Sequence, residues 1–200
     1  MAKYNLLFSA IIMLMASFSI NAEVLPAPQT TGGKPLMQVM SERKSSRDYK
    51  ENQTVTKQDL SNMLWAAWGI THDGKRTVAT AMNRQELVLY VVTPTEVSRY
   101  NPEANTLTVV NTGDFRKLST MQDFAAVAPI NIVMVVDTSK QERPEFQGYT
   151  AGAASHNIYL YCAQAGLKSV VRAGFDREKL PQALKLGANE RILFVQTVGK

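Results

Sequence analysis

An α+β fold, in which a sheet packs against helices, is the architecture that this sequence of 200 residues predicts. Apolar runs such as Leu87–Val92 have the length and content of buried strands. The run Lys57–Trp68 has instead the start and stop signals of a helix, with Thr56 before it and Gly69 after it. Residues 101–105, Asn-Pro-Glu-Ala-Asn, separate two strand-like runs as a hairpin turn does. Helices mixed with hairpins favour an α+β sandwich.

The first residues have the features of an export signal. Lys3 supplies positive charge, residues 6–20 form an apolar run, and Ala22 precedes a cleavage position before Glu23. The run is short for a spanning helix, although a retained N-terminal anchor would show a similar pattern. We therefore expect a signal peptide over residues 1–22, and a mature protein that is periplasmic or secreted and has no stable membrane anchor.

The first folded elements are predicted to follow a flexible leader. Residues 23–35 are rich in Pro, Gly, Thr and Gln and poor in apolar side chains, which predicts a segment without fixed structure. Leu36–Glu42 then predicts a short helix, and Lys57–Trp68 a longer one. Because residues 36–200 contain no internal repeat and suit one hydrophobic core, they are predicted to form a single domain.

Strands and one long helix are predicted for the rest of the chain. Leu87–Val92 indicates a buried strand, residues 98–110 a hairpin, and residues 129–136 a central strand. Residues 149–165 indicate the longest helix, whose run of small side chains would let another helix approach closely. Residues 189–198 indicate a last strand.

Composition excludes several classes of protein. The formal net charge of +5 is modest, and no stripe of cations interleaved with aromatics indicates a nucleic-acid binder. Cys162 is the only cysteine, so no internal disulfide can form, and its apolar surroundings predict a buried thiol. His72 and His156 lack the spacing of metal ligands, so no metal site is expected.

A cluster of cations lies where the first helix is predicted to end. Arg43, Lys44 and Arg47 surround Ser45, and Tyr49 closes the cluster. Guanidinium and ammonium groups are suited to hold a phosphate, and a serine hydroxyl can donate to a neighbouring polyol oxygen. The same run is also typical of a solvated surface, so by itself it allows both interpretations.

A second segment, residues 76–86, leads into the strand Leu87–Val92. It carries small residues followed by Asn83 and Gln85, two positions apart. Since an amide is both donor and acceptor, these side chains can contact the edge of a flat heterocycle. An ordinary loop, whose amides bond to the local backbone, would have the same composition.

Together the two segments resemble the nitroreductase family of flavin-dependent oxidoreductases. The family pattern is Arg-x-Ser-x-Arg-x-aromatic, a helix that here ends in residues 64–69, a loop of the form Pro-Ser-x-x-Asn-x-Gln, and a strand. A third segment agrees, because a long helix through residues 152–160 is followed by a short strand and by residues 172–175, Arg-Ala-Gly-Phe. The resemblance covers roughly residues 36–199.

The resemblance implies an FMN site made by three segments. Residues 43–47 match the cluster at the phosphate, the ribityl chain and the ring edge, and residues 80–85 match a loop that the partner subunit lays against the flavin. Residues 171–174 match a segment that passes close to N5 of the ring and offers a backbone N–H. Many relatives continue into a tail that brings further cations to the flavin phosphate. In this chain Lys200 is the expected substitute for those cations. The residues implied are Arg43, Lys44, Ser45, Arg47, Thr80, Ala81, Asn83, Gln85, Val171, Arg172, Ala173, Gly174 and Lys200.

The same resemblance implies the architecture and the assembly. It predicts a nitroreductase-like sandwich over residues 36–200, with a central mixed, mostly antiparallel sheet flanked by helices. It also predicts a homodimer with FMN sites at the subunit interface and the helix 149–165 in the dimer core. One departure is that Ala79-Thr80 stands in place of Pro-Ser in the loop, which keeps a hydroxyl but loses the rigid proline.

The function implied is two-electron transfer from a reduced donor such as NAD(P)H to a nitroaromatic, a quinone or a similar acceptor. Because the flavin ring carries this chemistry, no catalytic side chain is named. Two other functions stay open, since both use the same flavin site. One is a SagB-like dehydrogenase of azoline rings, although the lysine and tyrosine pair of those relatives cannot be assigned here. The other is a flavin-binding module without turnover.

Overall fold

The computed structural model describes residues 22–51 and 53–200. The predicted signal peptide lies outside the described residues except for its last residue, Ala22. Within the described part, no helix has the length and apolar content needed to cross a membrane.

A seven-stranded sheet forms the centre of the molecule, and every pairing between its described strands is antiparallel. The predicted, mostly antiparallel sheet is therefore confirmed, and the strands of the described residues include no parallel pair. The strands are β1 (Ala22–Val24), β2 (Leu87–Val92), β3 (Glu96–Asn101), β4 (Thr106–Thr112), β5 (Ile130–Asp137), β6 (Lys168–Arg172) and β7 (Glu190–Gly199). Across the sheet the order is β1-β4-β3-β2-β5-β7-β6. Hairpins join β2 to β3 and β3 to β4, whereas longer segments of chain connect the other paired strands.

Five α-helices accompany the sheet in the described residues. The predicted bounds of the first two are confirmed, and the Thr56 side chain caps the second by accepting a hydrogen bond from the Asp59 backbone N–H at 3.0 Å. The longest helix begins at Pro144, five residues earlier than predicted, because proline suits the first helical turn. The helices are α1 (Leu36–Glu42), α2 (Lys57–Trp68), α3 (Asp123–Ala126), α4 (Pro144–Ala165) and α5 (Lys179–Ala183).

Successive side chains of each strand point to opposite faces of the sheet, so the hydrophobic core is divided between the two faces. Leu89 and Val91 of β2 point into a large cluster that includes Met63 of α2 and Ile158 of α4. Tyr90 of the same strand points into a second cluster on the opposite face, which is closed by apolar residues of α5. The sheet is thus covered on both sides, which confirms the predicted α+β sandwich.

Residues 23–35, which were predicted to be a flexible leader, make defined contacts in the structure. Part of it belongs to β1, which pairs with β4, and Leu25 is buried in the main core cluster. Farther along, the Gln29 N–H donates to Asn62 Oδ1 at 2.8 Å. The buried Leu25 side chain and the hydrogen bond from the Gln29 backbone to an α2 side chain thus hold a segment whose composition indicated disorder.

Candidate functional site

The basic segment after α1 runs beside the outer strand β6. The Ser46 N–H donates to the Ser169 carbonyl at 2.9 Å, and Lys168 Nζ lies 2.9 Å from the Asp48 carboxylate. This ion pair lowers the pKa of Asp48, chiefly through the hydrogen bond from Lys168. Residues 43–49 are therefore held along the sheet edge that leads to residues 171–174.

Tyr159 of α4 joins two of the three predicted segments. Its hydroxyl lies 3.0 Å from Ser45 Oγ and accepts a hydrogen bond from the Val171 N–H at 2.9 Å. The Arg43 guanidinium stacks over the same ring, 5.3 Å from its centroid. One side chain thus fixes the basic segment relative to the end of β6.

The cations of this segment are available for an anion. Within residues 22–51 and 53–200, Arg43, Lys44 and Arg47 form no ion pair, whereas the nearby Lys34 and Lys168 are each paired with a carboxylate. Because unpaired cations that flank a hydroxyl suit a phosphate, the residues present fit the phosphate end of FMN. A cavity of about 540 Å³ next to them is lined by Lys44, Ser46, Tyr159 and Lys168, among others.

Lys200 lies at the same end of the sheet as this segment. A Cβ atom built at Gly199 would come 2.9 Å from the Tyr49 ring, so the end of β7 packs directly against the residue that closes the cluster. Lys200 follows immediately and is exposed. The structure thus places its backbone near the cation cluster.

The segment 171–174 offers backbone rather than side-chain contacts. The Arg172 side chain is turned inward, where it donates to the Ser119 carbonyl at 2.9 Å and to Asn131 Oδ1 at 2.9 Å. Burial lowers the pKa of Arg172 to about 10. Among the described residues, the Ala173 and Gly174 N–H groups donate no hydrogen bond. These two amides are therefore the groups of this segment that can face a cofactor.

The loop at residues 80–85 is shaped by its own contacts. Three of its non-glycine residues have positive φ, namely 52° at Met82, 55° at Asn83 and 49° at Gln85. The Gln85 N–H donates to Thr80 Oγ1 at 3.2 Å, and Gln85 Oε1 accepts a bond from Arg76 Nε at 2.8 Å. Gln85 is thus used inside its own loop, as in the simpler interpretation of its sequence.

Within one chain this loop stays apart from the other two segments. Gln85 lines a cavity of about 530 Å³ beside Trp68 and Arg76, and that cavity shares no residue with the cavities lined by Lys44 or Val171. The structure therefore brings residues 43–47 and 171–174 together, but not residues 80–85.

Tyr159 is the functional candidate that sequence reasoning missed. It stands within the quoted helix motif, yet its partners lie 114 and 12 positions away in the chain, so no local pattern indicates them. By contrast, Cys162 behaves as predicted, since it is buried, and burial raises its pKa to about 12. No group of residues that could hold a metal ion occurs in the described part of the chain.

Comparisons with known proteins agree with these features. A model of the nitroreductase family matches residues 40–200. A crystal structure assigned as a nitroreductase from Ralstonia eutropha JMP134 is 35% identical, covers 90% of this chain and 89% of its own, and has a TM-score of 0.83. No curated protein matches the sequence.

More distant structures share the fold. One, assigned as a nitroreductase from Desulfovibrio desulfuricans and solved in complex with FMN, is 19% identical over 84% of this chain and 87% of its own, with a TM-score of 0.62. A chain of the E. coli microcin synthetase McbBCD complex is 17% identical over 98% of this chain and 84% of its own, with a TM-score of 0.67. On the family match and the 35% identity over nine-tenths of its length, the chain belongs to the nitroreductase family.

Proposed function

We propose that the protein binds FMN without a covalent bond and acts as a two-electron oxidoreductase. A reduced donor, a role that NAD(P)H can fill in vitro, passes electrons through the flavin to a nitroaromatic, quinone or similar compound. The observation that carries this proposal is the arrangement around Tyr159. Its hydroxyl links Ser45, within a run of unpaired cations, to Val171, next to two amides without acceptors in the described chain. A cationic end, suited to the phosphate, and an amide end, suited to the ring, are thus both fixed to the helix α4.

Each segment has a separate task toward the cofactor. Arg43, Lys44 and Arg47 would hold the phosphate as charge-assisted donors, and Ser45 would donate to the ribityl chain. The Ala173 and Gly174 N–H groups would orient the ring edge. When FMN is bound, its ring supplies the transfer of the two electrons, and the chain binds and orients it and limits access of water.

A homodimer completes this arrangement. The exposed face of α4 carries Gly148 and Gly152, and a Cβ atom built at either position would meet no atom within 4 Å. Tyr149 on the same helix is 57% exposed, which is unusual for a large aromatic residue. A second copy packed on this face would bring its loop 80–85 to the flavin that residues 43–47 hold.

The experiment that tests the proposal is cofactor analysis of the purified protein. We expect the absorbance spectrum of oxidised flavin, release of FMN on denaturation, and bleaching of the spectrum by NADH or NADPH without oxygen. FAD in the extract, or no flavin after reconstitution with excess FMN, would refute FMN binding. A bound flavin that neither nucleotide reduces would instead favour the azoline-type dehydrogenase or the module without turnover.

We propose further that the protein is exported, as residues 1–22 suggest. The physiological reductant would then differ from NAD(P)H, because reduced nicotinamides are scarce outside the cytoplasm. Mass spectrometry of the protein from its native host should find Glu23 as the first residue. A retained Met1 in a cytoplasmic fraction would overturn this localisation.

A further inference from the structure

Met121 lies next to the segment that is expected to face the flavin. Its side chain is 79% exposed, and a Cβ atom built at Gly174 would lie 3.8 Å from its Sδ. The loop that carries Met121 is tied to the same segment, since the Asp176 N–H donates to the Leu118 carbonyl at 2.9 Å. A large apolar side chain is therefore held in an exposed position beside Gly174 of the candidate flavin site.

A cavity of about 480 Å³ opens beside Met121 and lies within the usual size range of small-molecule sites. Met121 supplies most of its apolar surface, because Phe175, which also lines it, is only 5% exposed. The thioether of a methionine interacts favourably with aromatic rings. Its lining residues are Lys117, Thr120, Met121, Phe175, Asp176 and Arg177.

The charge of this cavity is positive on balance. Arg177 stacks over Phe175 at 5.1 Å, and its NH2 lies 3.5 Å from the Ala173 carbonyl, so its guanidinium stands beside the flavin segment. Neither Arg177 nor Lys117 forms an ion pair with a residue of the described chain. Asp176 also lines the cavity, but its carboxylate accepts hydrogen bonds from backbone N–H groups of α5 and its N-cap, which lower its pKa.

We propose that this cavity is the acceptor site and that it selects planar aromatic compounds that carry a carboxylate or a similar anionic group. The ring would lie against the Met121 thioether, and the anionic group would meet Arg177 and Lys117. The inference rests on the proposed function, because that function places the flavin at Ala173 and Gly174.

Equilibrium binding tests the selectivity without turnover. Calorimetric titration of the FMN-loaded protein with benzoate and with the neutral benzamide should show tighter binding of benzoate. Arg177→Gln and Lys117→Gln should each weaken benzoate binding about threefold, as expected for exposed charges, and leave benzamide unchanged. The matched control is Arg143→Gln, because Arg143 also stacks on an aromatic ring, Phe146 at 4.4 Å, but does not line the cavity.

A second measurement ties the cavity to the flavin. Benzoate should shift the visible spectrum of bound FMN in the wild type, and Met121→Glu should abolish the shift while the protein retains its FMN. Equal affinity for benzoate and benzamide, or a loss in Arg143→Gln as large as in Arg177→Gln, would overturn the inference. If the protein bound no FMN, the proposed function would fail, whereas charge-dependent benzoate binding would still identify an anion site.

Discussion

Replacing Tyr159 by phenylalanine tests the central link of the candidate site. The variant keeps the ring under Arg43 but removes the hydroxyl that contacts Ser45 Oγ at 3.0 Å and the Val171 N–H at 2.9 Å. Ser45 is exposed and can bond to water instead. The half-buried Val171 N–H loses its acceptor, which costs about 1–3 kcal/mol. For a chain of this size we expect a fall in Tm of about 2–12 °C.

The effect on the cofactor should exceed what instability alone produces. Without the bridge, the basic segment is no longer fixed relative to residues 171–174, so we expect FMN affinity to fall about tenfold, or about 1.4 kcal/mol. Quenching of flavin fluorescence measures the affinity, and thermal unfolding of the FMN-free protein measures the stability.

Tyr161→Phe is the matched control for this variant. Tyr161 lies on the same helix, and its hydroxyl also makes two hydrogen bonds, to Asp59 Oδ1 at 2.9 Å and with Asn62 Nδ2 at 3.2 Å. It should lose stability but keep its FMN affinity. Equal losses of FMN affinity in the two variants, or no loss in Tyr159→Phe, would refute the role assigned to Tyr159.

Three other changes test separate parts of the structure. Arg43→Ala should weaken FMN binding about tenfold or more, because it removes a charge-assisted contact, and an unchanged Kd would place the phosphate elsewhere. Gly152→Leu should give a monomer with little FMN, because the leucine fits the folded chain but would block a second copy at α4. Light scattering measures the oligomeric state, and absorbance measures the flavin content. A variant that remains dimeric would refute the α4 interface. The pKa of Asp137 is lowered by hydrogen bonds, of which the one from the Ser139 side chain has the largest effect. These bonds therefore stabilise the folded protein at pH 7, and their stabilisation is lost as the pH falls below about 4. Ser139→Ala should therefore destabilise the protein to urea more at pH 7 than at pH 3, and equal losses at the two pH values would contradict this origin.

Elements with local signals could be predicted from the sequence. The helix Lys57–Trp68 begins after a side-chain cap and ends before a glycine, and β2 is a short apolar run, so both have the predicted bounds. The prediction missed the first five residues of α4 because Gly148, just before the predicted start, weakens the helical pattern there. The short helices α3 and α5, of four and five residues, have too few turns to show a period.

Contacts between distant segments could not be predicted in this way. Arg172 was expected at the flavin because of its place in a motif, yet its side chain bonds to Asn131, which is 41 positions away. Whether a strand residue points inward or outward depends on the register of its pairing, here Arg172 with Val195. The roles of Tyr159 and Met121 depend on such packing in the same way.

The place of β7 in the sheet has a consequence for how the chain acquires its structure. It is the last described strand in chain order, yet it lies between β5 and β6 and pairs with both. During synthesis, β5 and β6 therefore remain without this neighbour until residues 190–199 have left the ribosome. The pairing of β7 with β5 joins residues that are distant in sequence, and such contacts slow folding. The complete sheet can therefore form only after β7 has emerged. An unfinished chain would expose two unpaired strand edges, which makes it a target for chaperones.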